Sequence, residues 1–169
     1  MDFKSVFFDS SRLIADHVVS VIGTDADKVD ALFQFVLENH PQYSARAARV
    51  LDLLNDQNPQ MFLTYLETII NNLSINNTSV LRAFLRILVN HVNDLNEAQF
   101  GIVMNHCFLI LTNPASEVSH IVYSMHILHE MYKIEPLIKD ELRISIEGNL
   151  EFGSSGVKNV GKKILKKLK

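Results

Sequence analysis

The sequence contains no tryptophan, one cysteine and four prolines, and it nowhere holds the run of roughly 18 apolar residues that a membrane-spanning helix needs. A lone Cys107 excludes an intrachain disulfide, and its neighbours Val103, Met104, Phe108 and Leu111 predict a buried, inert thiol in a reducing compartment. No segment alternates apolar and polar residues for long enough to predict a strand. Asp2, Asp9 and Asp16 stand where a secretory leader needs a basic start and an apolar core, so a cytoplasmic address is expected. Without such a leader, the triplets beginning at Asn72, Asn76 and Asn77 read as an Asn-rich turn rather than as glycosylation sites.

What is present is helical periodicity. With 169 residues, 47% of them hydrophobic, the chain has the material for one core or one short repeat array, so residues 1–169 are expected to form a single domain. In the stretch Thr78 to Val92, the residues Val80, Leu81, Phe84, Leu85, Leu88 and Val92 recur at steps of three and four. That spacing puts them on one helical face, with Arg82, Arg86 and Asn90 opposite and Thr78 or Ser79 as the cap. Similar stripes predict helices from Leu13 to Ile22 (with Phe3, Val6 and Phe7 in the same element, closing at Gly23), from Asp25 to His40, and from Ser44 to Asn55. Others are predicted across Phe62 to Leu73, Glu97 to Thr112, Ser116 to Tyr132, Pro136 to Leu150 and Val157 to Leu168. All four prolines fall at helix boundaries, and the short connections make consecutive helices antiparallel neighbours. The expected fold class is all-α.

An apolar pair recurs within the second helix of each hairpin. The pairs are Val50-Leu51, Ile87-Leu88, Ile127-Leu128 and Ile164-Leu165, whose second members are 37, 40 and 37 residues apart. In the first unit Leu53-Leu54 is an alternative frame. Repeats of about 40 residues are the signature of stacked helix pairs that cannot bury their apolar faces alone. On this period, and on Ser44 to Leu54 and the segment SSGVKNVGKKILKKL from Ser154, the chain resembles HEAT and armadillo repeat proteins over residues 25 to 169. The resemblance implies a right-handed α-α superhelix of about four helix pairs plus an N-terminal capping helix, with second helices lining the concave side. It implies a non-enzymatic scaffold or adaptor that binds another protein there. The middle units lack the family's frequent Asp-Pro before the second helix.

Residues that could carry chemistry have plainer explanations. His106, His120, His126 and His129 sit in one hairpin, and His126 and His129 share a face, as zinc ligands could. No H-E-x-x-H or paired C-x-x-C accompanies them, so helix histidines near a surface explain them and no metal or cofactor is expected. Gly153 to Gly156 precedes a helix without a strand before it, which is a turn rather than a phosphate loop. DNA glycosylases that remove alkylated bases share a HEAT-like fold, and they stack the target on aromatics including tryptophan in a basic groove. This chain has no tryptophan, and residues 1–157 carry a net charge of about −9, so nucleic-acid binding is the second reading.

Charge is unevenly placed: all 19 acidic residues precede Val157, and six of the 16 Lys and Arg residues lie in the last twelve positions. There Val157, Val160, Ile164 and Leu168 form one stripe among lysines, predicting a terminal capping helix with a polar outer face. Two positions before the leucine of each recurring pair stand Arg49, Arg86, His126 and Lys163, with Arg82 and Lys166 nearby. If second helices stack about 10 Å apart, these residues form a basic row. Such a row would either attract an anionic partner or pair with acids of adjacent repeats.

Overall fold

The computed structural model describes residues 2–8 and 10–168. Asp9 and Lys169, both part of the charge pattern, lie outside them. Every regular element among the described residues is helical, as the sequence predicts. The chain divides into two compact units, residues 1–87 and 88–169.

The first unit holds α1 (Phe3–Val6), α2 (Arg12–Ile22), α3 (Ala26–Leu37), α4 (Tyr43–Gln57), a 3-10 segment (Pro59–Tyr65), α5 (Leu66–Asn71) and most of α6 (Thr78–Asn90). Its centre is α4, against which α1, α2, α3 and the 3-10 segment all pack. Ala47, Ala48, Val50, Leu51 and Leu54 of α4 are buried, and so are the polar Ser44, Asp52 and Asn55. Ser44 is satisfied locally: its hydroxyl donates to the Phe35 carbonyl (3.1 Å) and accepts from the His40 amide (2.8 Å). It thereby fixes the α3–α4 turn, in which Asn39 adopts φ 52°, a left-handed conformation that asparagine tolerates better than most residues. Aromatic contacts form two clusters in this core, one of Phe3, Phe7 and Phe35 and one of Phe33, Phe62 and Tyr65.

The second unit holds the end of α6, a 3-10 turn (Val92–Asp94), α7 (Glu97–Thr112), α8 (Val118–Ile134), a 3-10 turn (Pro136–Ile138), α9 (Lys139–Phe152) and α10 (Ser155–Leu165). Helix α7 spans the residues the sequence predicts and is opened by a capping box between Asn96 and Gln99. Asn149 of α9 donates to the Leu111 carbonyl at the end of α7 (2.8 Å), satisfying a group the helix itself leaves open. Helix α10 packs on both α8 and α9.

Several boundaries differ from the sequence expectations. Phe3, Val6 and Phe7 do not continue into the first long helix. Asp2 caps α1 separately, and Ser11, whose side chain accepts from the Ile14 amide, restarts the chain as α2. Asn77 rather than Thr78 or Ser79 caps α6, through its side chain to the Val80 amide (3.2 Å). The Phe62 to Leu73 stretch is α-helical only from Leu66, because Pro59 opens a tighter 3-10 segment in which the same apolar side chains still turn inward. Helix α6 ends at Asn90, before Val92. In the first unit both Val50 and Leu51 are fully buried, whereas of the alternative pair Leu54 is buried and Leu53 half-exposed. The stripe of α10 includes Gly161, where a Cβ would lie 2.8 Å from Leu150 Cδ2 and 2.9 Å from Ile146 Cγ2.

Helix α10 therefore covers the second unit rather than decorating it. Val157, Gly161 and Ile164 are buried while Lys162, Lys163, Lys166 and Lys167 are exposed. Deleting residues 154–169 should uncover α8 and α9 and cause aggregation, checked by light scattering. Gly161→Leu should destabilise by about 1–3 kcal/mol through overpacking, read from urea unfolding. A truncated chain as soluble and stable as the full one would show α10 to be an appendage.

Candidate functional site

Four arginines of the first unit come from two helices, α4 and α6. Arg46 and Arg49 lie three apart on α4, and Arg82 and Arg86 four apart on α6, so each pair shares one helical face. Their uses differ. Arg86 is taken up by acids of α4: Nη1 pairs with Asp52, and Nη2 lies 2.6 Å from Asp56 Oδ2. Burial pushes the Asp52 carboxyl above its ordinary range, and the hydrogen bond and charge of Arg86 act against that shift, with weaker help from Arg82. Arg46 is held by backbone, donating to the carbonyls of Phe7 (2.5 Å) and Phe8 (2.6 Å) and pinning the turn between α1 and α2. Arg49, half-buried, and Arg82, exposed, have no ion pair or hydrogen bond among the described residues.

Arg46, Arg49 and Arg82 line one cavity of about 190 Å³, whose other walls include Phe7, Ile14, Ala15 and Ala45 and the hydroxyl-bearing Ser10, Ser11 and Ser79. Among the described residues no carboxylate lines it. The sequence pattern singles out Arg49 and Arg82 but not Arg46. Its only signal is its place one turn before Arg49, because its partners lie 39 and 38 residues away.

The remaining members of the basic row belong to the second unit. His126 is half-buried on α8 and Lys163 is exposed on α10, and no hydrogen bond or ion pair joins them. Burial lowers the basicity of His126, Glu130 raises it, and the cation that acts on it is Lys167, one turn beyond Lys163. His106 is likewise held below the ordinary imidazole value of about 6.5 by burial and then by His120; its Nε2 is buried without a hydrogen-bond partner. His129 is shifted the same way, chiefly by burial and Lys133. Among the described residues no group of three or more side chains is arranged to hold a metal ion. Cys107 is fully buried beside Ser124, and burial pushes its thiol up to about 12. A larger cavity of about 510 Å³ lies near Leu111, Val118, Ile144 and Phe152, with no ionisable side chain in its lining. No helix among the described residues is long and apolar enough to cross a membrane.

Compared with known proteins, residues 9–168 match the family model described as a HEAT repeat domain. No curated protein and no solved structure matches the chain.

Three outcomes are expected from this geometry. Arg86→Gln would leave the Asp52 carboxylate, 12% exposed, without its cation, at a cost of about 1–3 kcal/mol by chemical denaturation. Adding Asp52→Asn should recover part of that loss, and a double variant no more stable than the single one would remove the pairing as the cause. The folded histidines His106, His126 and His129 bind protons less readily than in the unfolded chain, so their contribution is fully present above pH about 6.5 and shrinks as pH falls through that value. Tm should therefore drop between pH 7.5 and 5.5, less so in His106→Gln, and a flat profile would contradict the assignment. Native Cys107 should react with a thiol reagent at neutral pH only as fast as the protein opens, becoming rapid in denaturant.

Proposed function

The chain belongs to the HEAT repeat family, and from that premise we propose that it is a non-enzymatic scaffold, one repeat domain that binds a partner protein through the basic side of its second helices. The observation that carries this reading is the contrast within four arginines: Arg86 is neutralised by Asp52 and Asp56, whereas Arg49 and Arg82 line a cavity with no ion pair or hydrogen bond among the described residues. A cation without a carboxylate ion pair among the described residues, in an otherwise acidic body, is available to an anionic group outside the chain. Exposed Phe8 and Leu13, each 78% accessible and next in sequence to residues of that cavity, add apolar contact area of the kind that anchors interfaces alongside arginine. In the second unit, taken by itself, half-buried His126 and exposed Lys163 are proposed as partner contacts, and the free, buried Cys107 is compatible with a cytoplasmic address.

Nucleic acid is the competing reading, since the same arginines could meet a phosphate backbone. An extended footprint of cations would be needed, and residues 1–157 carry a net charge of about −9. Affinity capture from source-cell extract with nuclease treatment, wild type beside Arg49→Gln/Arg82→Gln, separates the two. The scaffold reading expects a defined protein set that survives moderate salt and is lost in the double variant. Recovery of nucleic acid with a steep salt dependence, and no protein that distinguishes the two baits, would overturn it.

A further inference from the structure

The cavity bounded by the α1–α2 turn, α4 and α6 is more specific than a basic surface. Three arginines from two helices line it, and among the described residues no carboxylate is in its lining. The Phe7 and Phe8 carbonyls satisfy donors of Arg46 without removing its charge, and they hold its planar group in place before any ligand arrives. Like charges gathered around one void repel each other, and Phe7, Ile14, Ala15 and Ala45 in its walls reduce screening by water. Ser79 sits in the first turn of α6, at the positive end of that helix, and offers a hydroxyl to the same void. Each of these features is relieved or used by an anion.

The geometry points to a receptor for a phosphoryl dianion, carried on the end of a partner's side chain and held by Arg46, Arg49 and Arg82 with Ser79. This inference rests on the scaffold reading above and adds what the cavity accepts. Charge favours phosphoryl over carboxylate: a phosphorylated residue brings about −1.5 to −2, against −1 for Asp or Glu, and the free Arg49 and Arg82 alone supply two positive charges. Size favours an end-group over a whole metabolite. The void of about 190 Å³ is well below the roughly 300–1,000 Å³ of pockets that enclose small molecules. A void of that size has space for one tetrahedral group. Phe8, 78% exposed and next in sequence to the wall residue Phe7, offers apolar surface to the chain that carries the group.

The test uses the purified full chain with inorganic phosphate and phenyl phosphate as probes, against chloride at equal ionic strength, with Tm as readout. Arg49→Gln/Arg82→Gln is the informative variant: among the described residues neither side chain has an ion pair or hydrogen bond to lose, and Arg82 gives Asp52 only weak help beside Arg86, so its Tm in chloride should stay close to that of the wild type. Both probes should raise the wild-type Tm saturably at pH 8, and the apparent affinity should fall at least tenfold in the double variant. At pH 5, below the second phosphoryl pKa of about 6, the shift relative to chloride should weaken, while that produced by sulfate, a dianion throughout, should not. No saturable shift in wild type, or one undiminished in the variant, overturns the inference. So does an arginine-dependent affinity for a single-stranded oligonucleotide that phosphate does not compete. The probes need no partner, so the two readings fail separately. Captured proteins that depend on the arginines without any phosphate response remove the phosphoryl site alone, whereas a phosphate response with no captured protein removes the scaffold and, with it, the partner side chain as the carrier of the group.

Discussion

Helix α4 is covered on most of its circumference, and this burial decides where the charges of the first unit go. A helix with apolar residues on one stripe needs one neighbour; α4 packs against α1, α2, α3 and the 3-10 segment, so even polar positions such as Ser44, Asp52 and Asn55 are drawn inside. Burying a polar group without a partner costs about 1–3 kcal/mol, so each of these imposes a requirement on the surroundings. Ser44 meets its requirement in the adjacent turn. Asp52 cannot do so locally, and its burial makes the arginine opposite it part of the fold.

The two arginines of α6 show how position along a helix separates structure from availability. Arg82 and Arg86 are one turn apart and chemically identical. Arg86 meets Asp52 and Asp56, which share a face of α4, whereas Arg82 shares a cavity with Ala45 and Arg49, earlier on the same helix. Residue numbers therefore advance in the same direction along α4 and α6, as expected for equivalent helices of successive repeats. The acids of α4 lie only toward its C-terminal half. A basic row spaced by the repeat period is thus divided by the acidic pattern of the neighbouring helix, and the free cations fall where that pattern stops.

Much of the fold is legible in the sequence because it depends on local periodicity. Both members of the pairs Val50-Leu51, Ile87-Leu88 and Ile127-Leu128 are fully buried, and Ile164 of the last pair is buried as well. Glu97–Thr112 emerges with the predicted bounds. What escapes the sequence depends on contacts between distant residues or on competition at helix ends. The break before α2 requires Ser11, as its N-cap, to outcompete helix continuation, and the role of Gly161 is visible only once Ile146 and Leu150 lie against it. The same holds for the site. Arg49 and Arg82 can be read from their place in the repeat, but which arginine is neutralised depends on the alignment of α4 with α6, and Arg46 enters only through carbonyls at the other end of the unit.

Cation density alone is a poor guide to where such a chain would bind. The most basic stretch is the C-terminal helix, yet the side chains of Lys162, Lys163, Lys166 and Lys167 are exposed there, each a flexible point charge. Ordering one such side chain on binding costs about 0.5–1.5 kcal/mol, and its field in the open is screened over about 8–10 Å. The arginines of α4 and α6 are fewer but differ in kind. Arg46 is already immobilised, apolar side chains form part of the wall behind it, and the forked guanidinium groups can each offer two donors to one tetrahedral or planar anion. Pre-organisation, more than net charge, makes an acidic protein able to hold an anion, and here it is supplied by the same burial of α4 that builds the core.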